Sequence, residues 1–202
     1  MVYDDSKEQP PSWPTYHNAP PDATFALGVI SATYPKLETA FEQVFTAVTD
    51  VNIAFTTSLI PKIGNDVRIK LVEEALSVKS FLPHIEDAIR YFLKAYASLA
   101  FNRNMLMHSQ ILGGGEDVSI FLKSQRDGKI VGCILTISRL RQIADEMEVV
   151  RTYGEALSNH IRAPRLNKGF ADAGLPQQLW PLPDKPVQPI RLEYSATPYY
   201  PE

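Results

Sequence analysis

Apolar residues recur at helical spacings through the middle of the chain, beginning near Thr24. Up to Thr49 they fall three, four or seven positions apart, except for one adjacent pair: Leu27, Ile30, Leu37, Phe41, Val44, Phe45 and Val48. Pro35 lies inside this stretch, so we expect either a kinked helix or two successive helices. The pattern predicts a long helical segment at the start of the folded body.

Two shorter helices are predicted next. The segment from Asn52 to Leu59 is apolar and rich in threonine, and it should end near Pro61. Gly64-Asn65-Asp66 offers the start signal of another helix. One face of that helix should be formed by Val67, Leu71, Val72, Ala75 and Leu76.

The most regular helix follows, with Ser80 as a plausible N-cap and Pro83 in its first turn. Its apolar residues then alternate in steps of four and three: Ile85, Ile89, Phe92, Tyr96 and Leu99. The same steps continue to Arg103 and Leu106, so Arg103 occupies a position where the pattern predicts an apolar side chain. We expect Gly113-Gly114-Gly115 to end the helix.

A β-hairpin is predicted between this helix and the last one. Two β-rich runs, 118–124 and 129–136, flank Gln125-Arg126-Asp127-Gly128, and Asp-Gly suits a tight type I′ turn. A final helix should begin near Ser138, with a buried face of Leu140, Ile143, Met147, Val150, Ala156 or Leu157, and Ile161. The predicted fold is therefore mainly α: a four- to five-helix bundle with a β-hairpin inserted before the last helix.

Prolines crowd both ends of the chain. They predict a Pro-rich N-terminal tail at 1–21 and a Pro-rich C-terminal extension at 163–202, both extended or irregular, around a helical domain at 22–162. The aromatic residues of the extension, Trp180, Tyr194, Tyr199 and Tyr200, could stack on bases. Packing of the extension against its own bundle, or around a partner subunit, explains them more simply.

Composition adds the expected environment. A 45% hydrophobic and 21% charged chain is typical of a globular protein, and no apolar run approaches the length of a membrane span. The single cysteine, Cys133, and an N-terminus without a secretory pattern favour the cytoplasm. The net charge of −3 argues against an extended nucleic-acid-coating surface, but it allows a small phosphate site.

Arg103, Asn104 and His108 are the candidate functional residues. An unpaired guanidinium is costly to bury, so Arg103 should meet an anion, a carboxylate or a partner chain. At about 100° per residue, Asn104 and His108 lie one turn apart on the same face, whereas Arg103 and His108 lie roughly 140° apart. Either the helix loosens near its end, or two copies face each other across a two-fold axis and share a site.

Arg103-Asn104-x-x-x-His108, late on a long helix, resembles the Arg-polar-x-x-x-His motif of the HEPN family. The order of elements over residues 24–160, including the segment from Arg139 to Glu146, is similar to uncharacterised bacterial HEPN-like proteins. Ser109 departs from these relatives, in which Gly or Asp commonly follows the histidine. The extension after Pro164 has no counterpart in them that we can place.

The resemblance implies a homodimer that cleaves RNA without a metal ion, and a role as a toxin or defence component with an antitoxin-like protein partner. His108 would act as general acid or base, Arg103 would stabilise charge on the phosphate, and Asn104 would orient the scissile group. No cofactor and no metal ligand set are expected. Two alternatives stay open: a non-catalytic HEPN-like module that binds a nucleotide or a protein, with a structural Arg/His pair, and a plain helical protein with a chance motif.

Overall fold

The computed structural model describes residues 19–112, 117–123 and 130–194. The described residues form five α-helices: α1 (Pro21–Thr49), α2 (Ile53–Leu59), α3 (Asn65–Val78), α4 (Pro83–Met107) and α5 (Ile137–Asp172). A 3₁₀ turn, Ile60–Lys62, follows α2, and three strands lie between α4 and α5. The predicted class, a mainly α bundle with a β insertion before the last helix, is confirmed. Within these ranges, every helix is too short or too polar to cross a lipid bilayer.

Helix α1 is continuous through Pro35, so neither a second helix nor a break occurs there. Proline has a φ compatible with a helix and removes only one backbone donor, and Pro35 is exposed. The N-terminal end uses Pro21 in the first turn, where a missing donor costs little. The buried side of α1 packs mainly against α5 and provides one wall of the core.

The apolar stripe of α4 forms the centre of the core, as the spacing predicts. Ile89, Phe92, Tyr96, Leu99 and Leu106 are all essentially inaccessible to solvent. The Tyr96 ring lies 4.5 Å from that of Phe41 on α1, measured between centroids. Burial of such rings contributes much of the packing energy that holds α1 and α4 together.

Two predictions about the ends of α4 are wrong. Its N-cap is Leu82 rather than Ser80, and no side chain caps the helix. Its C-terminal end is at Met107, well before Gly113, because Gln110–Leu112 leaves the helix and forms strand β1.

The predicted apolar face of α3 differs at one position. Val67 is half exposed, and Arg68 occupies the buried position instead.

The sheet is antiparallel, with strand order β1-β2-β3. β2 (Asp117–Lys123) and β3 (Ile130–Thr136) are the two strands of the predicted hairpin, and they pair from Asp117↔Thr136 to Lys123↔Ile130. The predicted Asp127-Gly128 turn lies outside the described residues. β1 adds a strand that the sequence pattern does not indicate, since a three-residue strand has no visible periodicity.

The expected boundary at residue 162 does not coincide with the end of a helix. α5 continues through Pro164 to Asp172, and Gly174, with a φ of 68°, turns the chain into the extension. The late turns of α5 hold this extension: Asn167 exchanges two hydrogen bonds with the backbone of Gln178, at 2.9 and 3.0 Å. Residues 175–194 are irregular, as predicted, and they pack against their own bundle. Residues 1–18 of the N-terminal tail lie outside the described part.

Candidate functional site

Arg103 lies in the last turns of α4 and is partly buried against α1. Its guanidinium carbon is 4.9 Å from the centroid of the Tyr34 ring, and its Nη1 donates to Asn104 Oδ1 at 3.1 Å. Its Nε is buried without a hydrogen-bond partner. Among the described residues no carboxylate pairs with it, so the principal neighbour is an aromatic face rather than an expected carboxylate.

Asn104 and His108 are both exposed at the end of the same helix. His108 is the C-cap, and its backbone N–H donates to the carbonyl of Asn104 at 3.2 Å. The two residues therefore lie one turn apart, as predicted. Helix α4 remains regular through Met107, so the His108 imidazole does not come to lie beside the buried side of Arg103. Within one chain, Arg103 faces α1 whereas His108 is open to solvent.

A cavity of about 440 Å³ opens beside Asn104. It is bounded by the first turn of α3, the later turns of α4 and the C-terminal extension, and its polar lining includes Asn65, Asp66, Asn104 and Arg191. Of the three candidate residues only Asn104 lines it. Arg191 was not predicted as a site residue, because nothing in the sequence indicates that the extension returns to the end of α4.

A polar network lies beneath this cavity and reaches the ring under Arg103. Asn65 Nδ2 donates to the Tyr34 hydroxyl at 3.3 Å, and the Tyr96 hydroxyl donates to Asn65 Oδ1 at 3.1 Å. Arg68 Nη1 in turn donates to the Tyr96 oxygen at 3.0 Å. Burial raises the pKa of the Tyr96 phenol far above its ordinary value, so this hydroxyl stays protonated and can serve as both donor and acceptor.

Arg68 joins that network to α1. It is only 6% exposed, and it donates to Glu38 Oε1 at 2.8 Å and to the Ile63 carbonyl at 2.9 Å. The sequence contains a signal for it, since Arg68 is four residues before Val72 on the buried side of α3. We did not predict it, because its partners come from segments about thirty residues away.

Cys133 and the acidic side chains do not form a second candidate site in the described part of the chain. Cys133, half-buried on β3, lies beside the Tyr194 hydroxyl, and burial raises the pKa of the thiol. The Tyr194 oxygen is itself buried without a partner in hydrogen-bonding geometry. In the part of the chain that the structure describes, no cluster of three or more His, Cys, Asp or Glu side chains could hold a metal ion.

No family model, curated protein or solved structure matches this chain. The function is therefore inferred from the residues at the end of α4 and from what surrounds them.

Proposed function

We propose that the end of α4 is a metal-independent endoribonuclease site of the HEPN-like type, shared between two copies of the chain. One observation carries the proposal: Asn104 and His108 are exposed one turn apart on α4, and Asn104 both accepts a hydrogen bond from Arg103 and borders an open cavity. Histidine can transfer protons near neutral pH, and arginine offers a planar set of donors to phosphate oxygens.

Each residue has a role in this proposal. His108 acts as general acid or base on the 2′-hydroxyl or on the leaving oxygen, and Arg103 stabilises charge on the phosphate. Asn104 orients the scissile group, and its hydrogen bond to Arg103 couples it to that guanidinium. Since Arg103 faces α1 and His108 faces solvent, we propose that the two come from different subunits of a homodimer.

A second candidate is a non-catalytic module that binds a nucleotide or a protein. The stacking of Arg103 on Tyr34 favours it, because that contact joins the guanidinium to the buried network of Asn65 and Tyr96. In this reading Arg103 stabilises the contact between α1 and α4. A role as the toxin of a two-protein system, with an antitoxin-like partner, follows from the HEPN resemblance alone.

The test is RNA cleavage in EDTA by wild type, His108→Ala and Arg103→Ala. We expect wild type to produce fragments with 2′,3′-cyclic phosphate ends, and both substitutions to reduce the rate by at least about 100-fold, the usual contribution of a positioned acid or base. His84→Ala is the matched control, since His84 is exposed in the first turn of the same helix. Folding is checked by circular dichroism.

Absence of cleavage by wild type, or cleavage that persists in His108→Ala, contradicts the nuclease. Nucleotide binding without cleavage, measured by calorimetry on the same samples, favours the non-catalytic module.

A further inference from the structure

Asn102, a fully buried residue of α4, holds the C-terminal extension in addition to the contacts of Asp87 and Tyr91 with it. The amide of Asn102 donates to the carbonyl of Ile190 at 2.9 Å and accepts from the backbone N–H of Leu192 at 2.8 Å. Arg139 Nη2 also donates to the Ile190 carbonyl, at 2.9 Å. The backbone on both sides of Arg191 is thereby held in place.

The same contacts fix where the Arg191 side chain lies. Leu192 is buried in the core, while Arg191 is exposed with its guanidinium carbon 3.6 Å from the centroid of the Phe101 ring. Arg191 lines the cavity that Asn104 also lines. No carboxylate within the described ranges pairs with it, so its donors are available to a ligand.

We propose that Arg191 binds a phosphate group of a ribonucleotide in this cavity, and that Asn102 is the positioning residue that places it there. The inference rests on the proposed function and adds a second arginine to its site. A guanidinium that already packs against an aromatic ring loses little conformational freedom when it binds a phosphate. Its planar pair of N–H donors matches two phosphate oxygens.

The rest of the lining indicates a ribonucleotide rather than a bare phosphate. Asp66 and Asn65 border the same cavity. A carboxylate repels phosphate but accepts hydrogen bonds from ribose hydroxyls, and an amide can bond to a base edge or to a ribose. The phosphate therefore belongs near Arg191, and the sugar belongs near Asp66.

The test is binding of a fluorescent oligoribonucleotide, with a ribonucleoside monophosphate as a second ligand. His108→Ala is the parent, so that RNA stays intact. We expect Arg191→Gln in this background to weaken binding about tenfold, the effect of one charge-assisted contact. The slope of log K against log salt should also fall by about 0.7, as expected for one lost phosphate contact on a single strand.

Arg165→Gln is the charge-matched control. Arg165 is exposed, and it pairs with Asp50 just beyond the C-terminal end of α1. Tyr34, which lies against Arg103 at the proposed site, is roughly 22 Å from that end along the helix, so Arg165 is far from the site. This substitution should leave the affinity and the salt slope unchanged. Arg191→Lys should restore part of the affinity, since it keeps the charge without the planar pair of donors.

Asn102→Ala tests the positioning role. It should weaken binding to a similar extent as Arg191→Gln, and the double variant should show no additional loss, because both changes remove the same phosphate contact. Thermal unfolding shows whether Asn102→Ala still folds. If it does not, the Arg191 variants decide the proposal.

The outcomes separate the two proposals. If Arg191→Gln weakens binding of the oligonucleotide, the site takes RNA. If it weakens binding of the monophosphate alone, the site takes a free nucleotide. If parent and Arg191→Gln bind both ligands equally while wild type cleaves RNA, this inference is overturned and the nuclease stands. If the parent binds neither ligand, this inference is overturned, and RNA cleavage by wild type decides the nuclease proposal separately.

Discussion

Arg68 and Arg103 each lie on the inner side of a helix, and they differ in how many of their donors have partners. Arg68 donates to Glu38, to the Tyr96 hydroxyl and to a backbone carbonyl. Arg103 bonds only Asn104 within the described part and leaves its Nε buried and unpaired. Several hydrogen bonds to protein groups are typical of a structural cation, whereas a buried nitrogen without a partner is typical of a group that meets a ligand or a partner chain.

Arg68→Met should therefore destabilise the fold by about 1–3 kcal/mol, because it removes the donor to the partly exposed Glu38 carboxylate and to the buried Tyr96 oxygen. Arg90→Met is the control: Arg90 pairs with Glu86 on an exposed surface, and such pairs contribute less than about 1 kcal/mol. Urea denaturation measures both. Equal unfolding midpoints for the two variants would show that the Arg68 network adds nothing to stability.

At the scale of single residues, the sequence pattern identifies Arg103 as an exception in an apolar stripe, but it does not identify the residues that surround it. The three-four spacing on α4 shows that Arg103 interrupts an apolar stripe, and it shows that Asn104 and His108 share a face. It does not show Tyr34, Asn65 or Arg191, because those contacts join segments that are distant in the chain. Spacing predicts which face of a helix a residue occupies, and only tertiary packing decides what lies opposite.

At the scale of elements, the helices were predictable because their apolar faces are periodic, whereas the C-terminal ends of α4 and α5 were not. α4 stops at Met107 because the next residues pair with β2, and a local pattern carries no signal for that pairing. α5 passes Pro164 because the late turns of the helix support the extension through Asn167 and a ring contact between Phe170 and Trp180. In both cases a tertiary contact overrides the local signal.

The contact between α4 and α5 depends on a close approach at Gly154. A Cβ atom added there would overlap the Phe92 ring in the core. Gly154→Ala should therefore lower the free energy of unfolding by about 1–3 kcal/mol, although alanine is the better helix former.

Gly169→Ala is the matched control in the same helix, since a Cβ there meets nothing within 4 Å. It should be neutral or stabilising by up to about 1 kcal/mol. Thermal and urea unfolding distinguish the two. An unchanged stability of Gly154→Ala would mean that α4 and α5 do not pack as closely as described.

At the scale of the whole molecule, the proposed nuclease site requires two copies of the chain. A net charge of −3 leaves little general attraction for RNA, so the RNA binding that we propose has to come from a local cluster of cations. One chain places Arg103 against α1 and His108 in solvent. Pairing of two chains around the ends of α4 would combine the arginine of one subunit with the histidine of the other.

The most direct measurement of that claim is complementation between two inactive variants. Arg103→Ala and His108→Ala, co-expressed with different tags and purified as a mixed population, are assayed on RNA in EDTA. If each site takes its arginine and histidine from different subunits, half of the dimers are mixed, and each mixed dimer has one intact site of two. We therefore expect about a quarter of wild-type activity in the mixture and almost none in either variant alone. A mixture as inactive as its components, with mixed dimers demonstrated by double-tag purification, would contradict it.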